Sequence, residues 1–285
     1  MADRYAKIKE NLMAIAHSDE NLRAVIAIGS TARGYSSSDE YSDIDLVLAC
    51  ETPDKWLYGD MPKRLGEVKI SFTEPTLGGG TERRILFDGS LDVDLIVFTP
   101  ERLSELILDK TACEVMNRGY TVLYDDMGIT QLLAESIKVE VPAFYISEGE
   151  FINTVNDFWF HTVWAAKKIL RGELWVAKQC IDAYLKNHLL KITELYEHSL
   201  HKKDVWHCGR FFERWADADT VKALRKCFAH YDKDELISAL FATAELFSRL
   251  AKDGARSCGY DYPAEAERCA QGLLDSYFPE QHSKK

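Results

Sequence analysis

An apolar strand, a Gly-Ser turn, a polar loop and a second strand headed by two acids follow one another between residues 25 and 48. No other feature constrains the fold as much. Residues 25–28 are apolar, Gly29-Ser30 breaks the run, and Asp43 and Asp45 flank Ile44 to open a second apolar run at 46–48. Carboxylates at i and i+2 of a strand project from the same face. At a rise of about 3.3 Å per residue they stand about 6.6 Å apart. That spacing suits two divalent cations about 3.5–4 Å apart, the arrangement polymerases use. The turn offers backbone N–H groups and a hydroxyl to phosphate oxygens. A bare D-x-D is commonplace on protein surfaces, whereas the complete ordered string is far more selective. It implies nucleotidyl transfer.

A second acidic strand supports this. Residues 91–98 read L-D-V-D-L-I-V-F and begin as strict alternation, so Asp92 and Asp94 share one face and Leu91, Val93 and Leu95 the other. Grouping carboxylates on a core strand costs several kcal/mol unless something pairs them. A divalent metal held with Asp43 and Asp45 would do so. Asp92 is the expected third acid of the set, as metal ligand and as a candidate general base. The expected requirement is two Mg²⁺ ions, with ATP as co-substrate. Its triphosphate would lie at Gly29 and Ser30, with Arg33 as a loop cation for phosphate.

Composition bears on the acceptor. The net charge of −11 is concentrated in the first half: residues 1–145 hold 15 Lys+Arg against 25 Asp+Glu, and residues 146–285 hold 20 against 21. An acidic domain repels nucleic-acid phosphates and attracts cations. A cationic small-molecule acceptor is therefore expected, with no nucleic acid and no membrane partner. No run of 18 apolar residues suggests a transmembrane helix, the N-terminus has no apolar signal segment, and the seven cysteines lack C-x-x-C spacing. A cytoplasmic protein with reduced thiols, and a monomer, is the expectation.

The organisation is that of an α+β chain. A helix is expected over 3–17, then strands at 24–28, 44–49, 68–72, 85–87, 91–98 and 121–124, punctuated by Pro53, Pro62, Pro75, Gly78-Gly79-Gly80 and Asp88-Gly89. This predicts an N-terminal nucleotidyltransferase domain with a small mixed β-sheet, at 1–145. From Glu148 the apolar spacing becomes helical, as in Phe151, Val155, Phe158 and Thr162 or Leu236, Leu240, Ala244 and Phe247. A C-terminal α-helical bundle, binding the acceptor, is expected at 146–285.

The N-terminal string resembles the DNA-polymerase-β-like nucleotidyltransferase superfamily through Gly29, Ser30, Asp43 and Asp45. Asn156-Asp157-Phe158-Trp159, the stretch from Ala165 to Glu173, Gly209-Arg210-Phe211-Phe212 and Gly259-Tyr260-Asp261-Tyr262-Pro263 extend the likeness to the aminoglycoside 6-adenylyltransferases, the streptomycin-modifying enzymes. The sequence departs from that family's pattern at Thr31, Ile44 and Gln179. The resemblance implies AMP transfer from ATP to an aminoglycoside hydroxyl and an antibiotic-resistance role, and it matches the third acid best to Asp92. In the helical half, Asp157 and Glu173 are candidates for pairing with acceptor cations. Lys167, four residues from Arg171 on one helix face, is a candidate for the β- and γ-phosphates, and Trp159 for stacking on a sugar or base.

Other readings stay open: transfer to another antibiotic or to a protein side chain, or a catalytically silent nucleotide-binding, antitoxin-like module. His198 and His201 lack the partners of a metal site. Gly78-Gly79-Gly80 lacks the Lys-Ser/Thr of a P-loop, and no G-x-S-x-G is present.

Overall fold

The computed structural model describes residues 3–32, 39–108, 113–140, 144–205 and 207–280. The chain divides into two compact units, Met1–Pro142 and Ala143–Lys285.

Unit 1 runs α1 (Ala6–Ala16), β1 (Leu22–Ile28), the one-turn α2 (Gly29–Ala32), β2 (Ile44–Cys50), α3 (Asp54–Leu57), β3 (Val68–Thr76), β4 (Gly80–Phe87), β5 (Leu91–Phe98), α4 (Pro100–Leu108), α5 (Cys113–Met116), β6 (Thr121–Asp125) and α6 (Ile129–Ser136). The strands form one sheet in the order β3-β4-β5-β2-β1-β6. It is mixed: β2 and β5 are parallel, and the other pairs are antiparallel. Alternation along each strand sorts side chains to two faces. Ile44, Leu46 and Leu48 pack with Ile8, Leu12 and Ile15 of α1. Val47 and Ala49, with Ala24, Ile26 and Ile28, pack with Leu103, Leu106 and Ile107 of α4 and Ile129 and Leu133 of α6. The central strands β1 and β2 are thus buried on both faces, which is why they read as nearly continuous apolar runs.

Unit 2 is helical: α7 (Glu148–Leu170), α8 (Leu174–Gln179), a π turn (Cys180–Tyr184), α9 (Leu185–His201), α10 (Phe212–Trp215), α11 (Ala218–Leu224), α12 (Lys233–Cys258) and α13 (Ala264–Tyr277). Ser147 and Glu150 close a capping box on α7, and Asp232 caps α12 by accepting from the N–H groups of Asp234 and Glu235. α12 packs on α9 and α7, and α13 packs on α7. Their core includes Phe151, Phe158, Trp159, Leu185, Leu240 and Phe247. Phe158 and Phe247 stack with ring centroids 3.5 Å apart. This is the α+β arrangement expected from the sequence. Among the described residues, no helix is long and apolar enough to cross a membrane.

Candidate active site

The site grows from the pairing of three strands. Ile28, the last residue of β1, is paired with Asp45 of β2. Asp45 is paired in turn with Asp94 of β5. Asp43, Asp45 and Val47 share a parity, as do Asp94, Ile96 and Phe98. The acids therefore stand on the sheet face that α4 and α6 cover farther along the strands. The approach to β2 is anchored by Tyr5, which is buried and whose hydroxyl donates to the Ser42 carbonyl at 2.8 Å.

Asp43, Asp45 and Asp94 each present a carboxylate oxygen within 4.8 Å of the others. The third acid brought to the pair is thus Asp94. Asp92, expected in that place, lies two residues earlier on the same face; it is exposed and outside the cluster. The reason is register. Parallel pairing sets Asp94 level with Asp45, which leaves Asp92 beyond the start of β2.

The electrostatics follow from this crowding. Burial pushes the Asp94 carboxyl up to about 6; Arg84 opposes that rise, and Glu82, Asp43 and Asp92 add to it. Arg84 sits directly across from Asp94 on β4. Its Nη2 is 3.6 Å from Asp94 Oδ2, and its Nε lies 3.0 Å from Glu82 and 2.5 Å from Glu74. Nothing in the sequence marks Arg84, because its strand partner is knowable only from the register. On the same face, Ile28, Val47, Ile96, Phe98, Leu106 and Met116 line an apolar cavity of about 70 Å³.

The Gly-Ser turn lies against this cluster. Gly29 has φ +74°, and a Cβ there would lie 2.0 Å from Asp45 Oδ2. Only glycine meets both demands. Ser30 follows it into α2 and is buried. Arg33 lies outside the described residues.

The remaining candidates are in unit 2. Asp157 lies on α7 beside His161, Tyr184 and His188. Lys167 is exposed on the same helix. Glu173, just before α8, is held in ion pairs with Lys168 at 2.7 Å and with Arg171. Trp159, expected to stack on a ligand, is only 1% exposed. It packs edge-on to Phe158 and Phe247, and its indole N–H donates to the Tyr262 hydroxyl. It faces inward because its helical position falls on the apolar stripe of α7.

Comparison with known proteins adds the following. The chain matches the profile of a family described as streptomycin adenylyltransferase over residues 3–275. Among solved structures it is similar to an aminoglycoside 6-adenyltransferase from Bacillus subtilis, with 16% identity and a TM-score of 0.47, over 98% of this chain and 99% of that one. A nucleotidyltransferase-like protein from Exiguobacterium sibiricum is similar at 13% identity and a TM-score of 0.36, over 96% and 92%. A CCA-adding enzyme in complex with CTP has the same identity and TM-score, over 96% and 71%. No curated protein sequence matches the chain.

Proposed function

The chain belongs to the streptomycin adenylyltransferase family, and we propose on that premise that it moves AMP from ATP to a hydroxyl of a cationic aminoglycoside, with antibiotic resistance as the physiological outcome. The observation that carries this reading is the carboxylate trio Asp43, Asp45 and Asp94 beside the Gly29-Ser30 turn.

The donor set fits Mg²⁺. Three carboxylates with oxygens within 4.8 Å of one another form a hard, anionic oxygen site. The raised Asp94 carboxyl records the repulsion and burial that a bound cation relieves. Two Mg²⁺ ions held there would neutralise phosphate charge and make the acceptor hydroxyl more acidic. The protein's own groups do the rest. The backbone N–H of the Gly29-Ser30 turn and the Ser30 hydroxyl donate to phosphate oxygens, and the missing side chain of Gly29 lets the Asp45 carboxylate stand against the turn. Arg84 keeps Asp94 oriented and favours its charged form. The acceptor oxygen attacks the α-phosphorus in line as the bond to pyrophosphate breaks. Asp92, exposed on the same face and not tied into the trio, takes the hydroxyl proton. Asp157 and Glu173 supply negative charge for the acceptor in unit 2, and Lys167 an exposed cation for phosphate.

The test is pyrophosphate release. Purified protein with ATP, Mg²⁺ and a panel of aminoglycosides should release pyrophosphate with at least one of them. Silence across the panel, with ATP binding retained, would remove the acceptor assignment.

A further inference from the structure

Asp157 is the centre of a compact polar group that nucleotide chemistry does not explain. His161 Nδ1, one turn along α7, donates to Asp157 Oδ1 at 2.6 Å and lies 3.1 Å from the Asp157 carbonyl oxygen. The Tyr184 hydroxyl is 3.0 Å from both carboxylate oxygens, and His188 Nε2 is 3.5 Å from Oδ2. Two helical stretches each contribute an i, i+4 pair: Asp157 and His161 from α7, Tyr184 and His188 from the π turn and α9. The widened turn ends on Tyr184 itself. π turns are rare and concentrate at functional positions.

These bonds fix the tautomer of His161. Both oxygens facing Nδ1 can only accept, so Nδ1 carries the proton. Nε2 of the neutral ring is then a lone pair. The His161 side chain is 29% exposed, and that of Asp157 28%. The rings of Tyr184, Phe160 and Trp164 stand around His161 with centroids at 4.3, 5.2 and 6.1 Å. Burial pushes the His188 imidazole down, against the pull of Asp157, so it adds no positive charge near neutrality. Cys180 Sγ lies 3.8 Å from the His161 carbonyl oxygen, and Lys191 bears on His188 from α9. The result is a lone-pair acceptor backed by a carboxylate and framed by aromatic faces. Such a group suits an ammonium or hydroxyl donor.

We propose that His161, aligned by Asp157 and flanked by Tyr184 and His188, binds the cationic, hydroxylated acceptor through Nε2. The identity of that ligand rests on the adenylyltransferase reading; the site itself rests on this geometry.

The experiment titrates the full chain with streptomycin, kanamycin and spectinomycin by calorimetry, without ATP, at pH 7.5. At least one should bind wild type. His161→Phe keeps a ring and removes both nitrogens. It should weaken binding about tenfold, with Mn²⁺·ATP affinity unchanged. His161→Gln, which keeps a donor toward Asp157, serves if the phenylalanine variant fails to fold. Wild-type affinity in a folded variant would overturn this inference and leave the adenylyltransferase reading standing. Binding of none of the three by wild type that still binds ATP would overturn the acceptor assignment and this inference together.

Discussion

Asp94 holds its proton to about pH 6 because it is buried among acids, with only Arg84 drawing it the other way. That balance separates its role from that of its neighbour Asp92, which is exposed and outside the trio. Asp94→Asn should weaken Mn²⁺ binding, followed by electron paramagnetic resonance, and lower kcat/KM by roughly a thousandfold. Asp92→Asn should leave Mn²⁺ binding intact and lower kcat by about 10²–10⁴. The reverse pattern would restore Asp92 as the metal-site acid. The sequence displayed both acids on one face but not the strand register that selects between them. Trp159 shows the same limit: its spacing was compatible with either a core or a cleft position, and only the packing of α12 against α7 closes the matter. Asp157 was legible as a charged helical residue. Its partners Tyr184 and His188 were not, since they lie 27 and 31 positions away across a π turn with no sequence signature.

At the scale of single elements, α9 carries a cost that pH can reveal. Glu194 is buried, and its carboxyl is pushed from 4.5 up to about 7 by that burial, with Lys191 opposing. An acid whose folded value is raised binds more protons folded than unfolded between those limits. Its contribution therefore falls as pH rises from 4.5 through 7 and stays low above. Glu194→Gln should flatten that part of the stability–pH curve and stabilise the protein by on the order of 1–3 kcal/mol at pH 8, measured by denaturant unfolding. Equal pH dependence in the variant would contradict it. The strands show why some elements were legible and others only in part. β1, β2 and β5 advertise themselves by apolar runs and alternation. β3 and β4 extend well beyond the expected 68–72 and 85–87 because Glu74, Pro75, Glu82, Arg83 and Arg84 interrupt the apolar pattern while still pairing across the hairpin. Edge position tolerates that interruption in β3, whose Pro75 needs no ladder donor on its free side.

At the scale of the whole molecule, charge governs what can approach. The net charge of −11 is set almost entirely by residues 1–145, the segment that holds the carboxylate trio. An excess of negative charge disfavours polynucleotides and favours polycations, in keeping with the cationic acceptor proposed above. Fluorescence anisotropy with labelled tRNA at 50 mM salt should therefore show no binding tighter than about 100 μM. Submicromolar binding that weakens steeply with salt would point instead to a polynucleotide acceptor. The α+β architecture was visible as a change of period, from 2 to 3.6, along the chain. The π turn and the crowding of the acids were not, because both arise from how the elements pack.

The most direct test of the central claim, that Asp43, Asp45 and Asp94 support adenylyl transfer to an aminoglycoside, is the mass of the acceptor after incubation with ATP and Mg²⁺. Wild type should add one AMP to at least one aminoglycoside, and Asp45→Asn, folded by circular dichroism, should add none. An unmodified panel with wild type, or undiminished modification by Asp45→Asn, would contradict the account.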